Sequence, residues 1–361
     1  MHQLPPELCT EIFSLACRDS GFTGRSLSLV SRYVHETSKE AKLQSISIHG
    51  YDEIIAFAAL LERTPLHLRS VRFCFISSQD RCMDETQAAW NGMQQLSVPD
   101  TSAAARNAYS REHRRLVDIW ARSVDTDRKR DLARVEPKAI AFDSILKNIA
   151  STVEALEVDF DNRYDLKRHS LQTLTLPKIT HLAIHGPSPL VPVGFTQQPI
   201  LRPCPSLRRL HITIKASQKA SVKPKCIFQH IPVLTPFLTH LRLSGFQDSE
   251  WIGASYLWAA LGHPRKSWLE VDKLPETIET VLIQLQIPFS GTRDPSYDRL
   301  TRDCHELQNT DGRVCLLQPC DLTRDFSGRS PHRDYDLVEN SNWLDWINGG
   351  EGCWDTSDRM Q

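Results

Sequence analysis

Val153-Glu154-Ala155-Leu156-Glu157-Val158 is the phrase that decides the fold. Its apolar residues stand at the first, fourth and sixth places, and the last three residues alternate as on a strand with one buried face. The phrase returns as Ile179-x-x-Leu182-x-Ile184, Leu207-x-x-Leu210-x-Ile212, Leu238-x-x-Leu241-x-Leu243 and Ile278-x-x-Val281-x-Ile283. One such strand cannot bury its apolar face alone, but neighbours set side by side bury it together. The recurrence predicts a row of parallel strands joined by arcs. Leu171-x-x-Leu174-x-Leu176 also matches, but it lies too close to residue 179 for a full repeat and is read as the approach to the next strand.

The same unit extends upstream. Leu43-Gln44-Ser45-Ile46-Ser47-Ile48 alternates, Asp52 caps a helix running to about Arg63 with Ile54, Ile55, Ala58 and Leu61 apolar, and Leu68 to Phe75 alternates again. Strand, helix, strand is the building block of a parallel sheet. The arcs downstream are uneven. Ala139–Ile149 and Trp251–Leu261 suit helices, with His263-Pro264 ending the second, whereas six prolines between 187 and 206 exclude a regular helix there. Tyr297, Leu300, Cys304 and Leu307 suit a last helix, and Arg313–Leu317 a closing strand. Residues 77–137 break the series. About sixty residues between strands exceed ordinary loop lengths, so the segment reads as an insertion, disordered in its first half and carrying a mixed-charge helix around Ala104–Arg134. Its basic clusters alternate with Asp118, Asp125, Asp127 and Asp131, the pattern of a solvated face rather than a nucleic-acid patch.

The recurring phrase resembles the leucine-rich repeat, L-x-x-L-x-L, whose period is about 20–29 residues. Starts at residues 153, 179 and 207 fit it, and those at 238 and 278 require insertions. The alternative is an ordinary α/β sheet without a horseshoe.

The first fifty residues are of a different kind. Pro5-Pro6-Glu7 suits a helix start, where proline loses no bond and a carboxylate meets the positive end of the dipole. Leu8, Ile12, Leu15 and Ala16 share one helical face, and Asp19-Ser20-Gly21 ends the helix. A second helix spans about Thr23–Val30 with Leu27 and Val30 on one side, and Ser31 caps a third over Arg32–Ala41. Three short amphipathic helices are too small for an independent core, so they need a partner surface. Leu4-Pro5-x-Glu7-Leu8-x-x-x-Ile12-Phe13, followed by Arg25-Ser26-Leu27-Ser28-Leu29-Val30-Ser31-Arg32, resembles the F-box. The stretch after it, Lys39-x-x-x-Leu43-Gln44-Ser45-Ile46, is similar to the variant of mushroom-forming fungi. Many F-boxes carry a tryptophan in the third helix, where this chain reads Arg32-Tyr33-Val34-His35.

The resemblance implies docking on the Skp-type linker of a cullin–RING ubiquitin ligase through Leu4, Pro5, Leu8, Ile12, Phe13, Leu27 and Val30. The repeat body would then hold an unidentified target protein. The competing expectation is a ligase-independent scaffold whose N-terminal helices only cap the repeat stack.

Composition excludes several classes. Among 361 residues, 40% hydrophobic and 24% charged with a net charge of −1 describe an ordinary globular chain without pull toward nucleic acid or anionic membrane. Met1-His2-Gln3-Leu4 opens no signal peptide, and no apolar run spans a bilayer. The ten scattered cysteines then read as reduced thiols of the cytosol or nucleus. No cofactor is expected. Nor is catalysis: G-x-S-x-G, H-E-x-x-H, the P-loop and G-x-G-x-x-G are missing. Ser144-x-x-Lys147 lies in an amphipathic helix without companion motifs, and Cys304, Cys315 and Cys320 lack the paired spacing of a zinc site. His181, His211 and His240, in or beside strand phrases, are expected to face solvent or an in-sheet partner.

The chain ends in Trp343-Leu344-Asp345-Trp346-Ile347-Asn348-Gly349-Gly350, a helical face closed by glycine, with Cys353-Trp354 beyond. Such a tail resembles the ends of the same fungal F-box-like proteins. A stack of repeats needs its open end covered, so a C-terminal cap is expected, with a docking peptide as the alternative. The expected organisation is α/β: a three-helix F-box-like head (1–42), an irregular leucine-rich-repeat body (43–318) with the insertion at 77–137, and a C-terminal loop and tryptophan-rich cap (319–361).

Overall fold

The computed structural model describes residues 4–78, 103–159, 174–186, 202–213, 224–246, 253–263, 271–287, 295–320, 342–357 and 359–360. Within these lies one eight-stranded, all-parallel sheet whose strand order follows the chain. The strands are β1 (Ser45–His49), β2 (Phe73–Ser77), β3 (Ala155–Asp159), β4 (His181–His185), β5 (Arg209–Thr213), β6 (His240–Phe246), β7 (Thr280–Gln286) and β8 (Val314–Cys320). Ile46, Cys74, Leu156, Leu182, Leu210, Leu241, Val281 and Val314 lie in one row of the register, and Ile48 through Leu316 in another. These are the fourth and sixth places of the phrase. The first place is buried too: Val153, Ile179, Leu207, Leu238 and Ile278 sit inward, just before each strand. The phrase therefore builds a continuous ladder of apolar side chains on one face of the sheet.

Helices cover that face. They are α4 (Gly50–Arg63), α5 (Ala103–Ile149), α6 (Pro224–Leu234), α7 (Gly253–Ala260) and α8 (Pro295–Thr310). α4 buries Ile54, Phe57, Ala58 and Leu61, and the last turns of α5 bury Phe142, Ile145, Leu146 and Ile149, both at i, i+3, i+4, i+7 spacing. α6 buries Ile227, Phe228, Ile231 and Leu234, and α8 buries Leu300, Cys304 and Leu307. All belong to one core with the inward strand residues. At roughly 1.5–3 kcal/mol for each large apolar side chain, this burial is the main force holding the sheet.

Several boundaries differ from expectation. α4 begins at Gly50, with His49 at its cap, so Asp52 lies in the first turn and not at the cap. α5 is a single helix that joins the expected insertion helix to Ala139–Ile149, with Pro137 inside it. Pro137 and Ala133 are both exposed, so water can serve the carbonyl that proline leaves without a donor. The expected disorder before α5 and most of the proline-rich 187–206 stretch fall outside the described residues.

Three more helices form the head: α1 (Pro6–Ala16), α2 (Phe22–Val30) and α3 (Arg32–Thr37). Ser31 caps α3 as expected, accepting from the Val34 N–H at 3.2 Å, but α3 stops well short of Ala41. Asp19 holds the start of α2 by accepting from the N–H groups of Gly21 and Thr23 at 2.8 and 2.9 Å.

Candidate functional site

α1 has two apolar stripes. Cys9, Phe13 and Cys17 face inward and form a small core with Val34 and Ala41. Leu4, Leu8, Ile12 and Leu15 face outward, with Leu8 46% and Ile12 49% exposed, and Phe22, Leu29 and Val30 of α2 are exposed as well. Of the residues expected at the linker surface, Leu4, Pro5, Leu8, Ile12 and Val30 are therefore accessible, and Leu27 is half-buried against the head core. Phe13 is not accessible. At 3% exposure it points into the head, because adjacent helical residues lie about 100° apart.

The head is also fastened to the first strand. Ser14 Oγ donates to Gln44 Oε1 at 2.6 Å, and Gln44 Nε2 donates to the Ser14 carbonyl at 2.9 Å. Ser45 Oγ donates to the Asp19 carbonyl at 2.5 Å, and the Ser47 N–H to the Ser20 carbonyl at 3.4 Å. One side of the head thus backs onto β1 while the other presents exposed leucines and isoleucine.

The second face of the sheet is of opposite character. It carries a buried polar relay. The His185 Nε2–H donates to Glu157 Oε1 at 3.0 Å, and its Nδ1 lies 2.8 Å from Thr213 Oγ1. Thr213 Oγ1 lies 3.2 Å from His211 Nε2, which lies 3.0 Å from Ser244 Oγ. Arg242 continues the line, donating to Ser244 Oγ at 3.2 Å and to Gln284 Oε1 at 2.8 Å. Carboxylate, imidazole and hydroxyl are the partner types of a nucleophile relay. Here His185 and Thr213 are 0% exposed, so no substrate carbonyl can reach them, and the row's evident effect is to satisfy buried polar groups across the sheet.

His181 and His211 have in-sheet or aromatic neighbours instead of solvent. Burial, then the charges of Arg209 and His185, pushes His181 down to about 3. Burial, then Arg242, His185 and His181, holds His211 well below the usual imidazole range. Both are neutral at pH 7. The relay itself escaped sequence reasoning. Its one trace is that Glu157, Asp159, His185, His211 and Arg242 occupy alternate strand places where a buried face would be apolar.

Trp343 and Ile347 pack on this second face against Phe73, Phe75 and Ala155, and Cys353 and Trp354 against Leu282, Cys315 and Leu317. The expected cap is only part of this arrangement. The Met360 N–H donates to the Leu316 carbonyl at 2.8 Å and Arg359 bridges Leu317, covering the outer edge of β8, but the tryptophans lie over the face.

Other candidates do not converge. Ser144 Oγ donates to Glu62 Oε1 at 2.9 Å, away from Lys147. Cys304 belongs to the helix-side core and Cys315 to the opposite face, so the two cannot share a metal. Among the described residues no three His, Cys, Asp or Glu side chains cluster as ligands, and no helix is long and apolar enough to cross a membrane. An open groove between α4 and α5 is lined by Ile55, Ala59, Leu132 and Ile140, with Glu62 and Glu136 its titratable groups among the described residues. No family model matches the chain, and neither a curated protein nor a solved structure matches it.

Proposed function

We propose that this protein is a recruiting adaptor of a cullin–RING ubiquitin ligase, with an F-box-like head that holds a Skp-type linker and a leucine-rich-repeat body that holds a target protein. The observation that carries the reading is the outward stripe of α1. Leu8 and Ile12 stand exposed on a helix whose other stripe already fills the head's own core, and Leu4 is exposed just before it. Clustered exposed apolar residues mark interaction sites, and these are the positions where the F-box resemblance places the linker. A parallel sheet with strands in chain order suits a repeat body, each unit leaning on its neighbours. The adaptor performs no chemistry of its own. It raises the effective concentration of target lysines near the charged ubiquitin carrier, in the cytosol or nucleus where that machinery works.

A second reading has its own observation. The Ser14–Gln44 and Ser45–Asp19 bonds make the head a cap on β1, as a ligase-independent scaffold requires. Capture by a purified Skp-type linker separates the two. Wild type binds and Leu8→Ala with Ile12→Ala loses at least about 2 kcal/mol, roughly 30-fold in Kd, if the adaptor reading holds. Well-folded wild type that captures no linker moves the function to the scaffold.

A further inference from the structure

The segment on the second face is built like a ligand. Residues 342–347 are helical, and the chain then turns back on itself: the Gly350 N–H donates to the Asp345 carbonyl at 2.9 Å and the Gly352 N–H to Asp345 Oδ2 at 2.8 Å. Gly349 and Gly352 have positive φ, and a Cβ on Gly352 would lie 2.7 Å from Trp346 Cβ. The knuckle is therefore closed in part by its own bonds.

It meets the sheet through a few large side chains laid in order across the strands. Trp343 sits by Phe75 of β2, and Trp346 lies between Phe73 and His181, with its ring 4.5 Å from the imidazole. Trp354 packs edge-on against His181 and His240 beneath the Arg209 guanidinium, and Arg242 Nη1 donates to the Cys353 carbonyl. Charge is complementary. The segment carries Asp345 and Glu351, and the surface offers the guanidinium groups of Arg209 and Arg242.

The fit is incomplete. Among the described residues, the buried indole N–H groups of Trp343 and Trp354 and the buried Nδ1 of His181 find no hydrogen-bond partner. Each buried polar group left without a partner is a cost that the present contact carries. A segment that placed an acceptor at these points would not carry that cost, and water would satisfy both indoles on release.

We infer that the second face of the sheet is a recognition surface for an acidic, tryptophan-bearing segment of another protein, and that residues 342–354 are its intramolecular occupant, which the partner displaces. The inference rests on the adaptor reading only in identifying that partner with the target. A tethered occupant works at an effective concentration on the order of 1 mM. If its intrinsic Kd is about 10 µM, it raises a competitor's apparent Kd about 100-fold.

The test uses the full-length chain with a site-specific protease sequence inserted after residue 330, and a fluorescein-labelled peptide of residues 340–361 as probe. Anisotropy should show the probe binding at least about 10-fold more tightly after cleavage than before. The unlabelled peptide should compete, and a peptide with Trp346→Ala and Trp354→Ala should not. In the uncut chain, Asp345→Ala opens the knuckle without touching the sheet and should raise probe affinity several-fold. A cleaved chain that keeps its own fragment and takes up no probe overturns the inference, as does a cleaved chain that unfolds, because the segment is then permanent core. Folded Asp345→Ala with unchanged probe affinity overturns it too. No linker is present, so none of these outcomes bears on docking by the head.

Discussion

Gly24→Ala tests how the head is assembled, because two physical effects oppose each other there. Gly24 lies within α2, and helix propensity alone says alanine stabilises by about 1 kcal/mol. The geometry says otherwise. A Cβ at Gly24 would stand 2.9 Å from Lys42 Cα and 3.0 Å from its carbonyl carbon, and closer still to the oxygen. These are backbone atoms, so no rotamer change relieves them, and α2 must lift by about half an ångström or more. Overpacking against fixed neighbours costs about 1–3 kcal/mol, and the rigid contact favours the upper part of that range. The net expectation is destabilisation of the head by about 1–2 kcal/mol, a factor of 5–30 in its opening equilibrium. Amide hydrogen exchange of residues 9–17 reads this directly, since Cys9, Phe13 and Cys17 form the head core. Exchange should accelerate 5- to 30-fold, with Leu29→Ala, at a side chain 87% exposed, as the unchanged control. Unchanged or slower exchange in Gly24→Ala would refute the seating of α2 on Lys42.

Two further outcomes concern the sheet. His181 and His211 have folded-state pKa values below the unfolded value of about 6.5, so the unfolded chain binds more protons under mildly acid conditions. Their contribution is intact above about pH 6.5 and declines as pH falls toward the folded values, by about 1.4 kcal/mol per unit for each histidine. Urea midpoints at pH 7.5 and 5.5 measure it, and a midpoint flat across that window contradicts the burial of neutral rings. Asp311 accepts from His263 Nε2 at 3.0 Å and from Arg313 Nε at 2.9 Å, and Arg313, more than His263, holds its carboxyl well below the usual carboxylate range. Because its pKa is depressed, this support is present above about pH 4 and fades under acid. Asp311→Asn should cost about 1–2 kcal/mol at neutral pH after allowance for the partly exposed guanidinium, and equality with wild type in urea would show the pair to be neutral.

The body was legible where burial is repetitive. A row such as Leu156, Leu182, Leu210 and Leu241 announces itself because each strand faces the same neighbours. α1 was ambiguous, since Leu8, Ile12 and Leu15 and the competing set Cys9, Phe13 and Cys17 are both helical stripes. Larger aliphatic residues suggest an interior, yet α3 and Ala41 leave room only for the second set. Pro137 divides the apolar pattern around it, whereas the exposed ring lets α5 continue. Ile227, Phe228, Ile231 and Leu234 make a helical stripe in α6, but Pro232 inside the run argues against a helix there. The polar relay was out of reach for another reason. Glu157, His185, Thr213 and Arg242 meet only through strand register, and no local rule relates residues so far apart in sequence.

Trp343 and Trp346 close over Phe73 and Phe75, and this has a consequence for biosynthesis. β2 leaves the ribosome long before residue 343 does. At about 5–20 residues per second the wait is on the order of tens of seconds. During that interval the two phenylalanine rings lack their indole cover while β3 to β8 are laid down beside them. A nascent chain with paired aromatics uncovered is a ready client for a holding chaperone. Trp343 and Trp346 thus decide when the second strand is safe from aggregation.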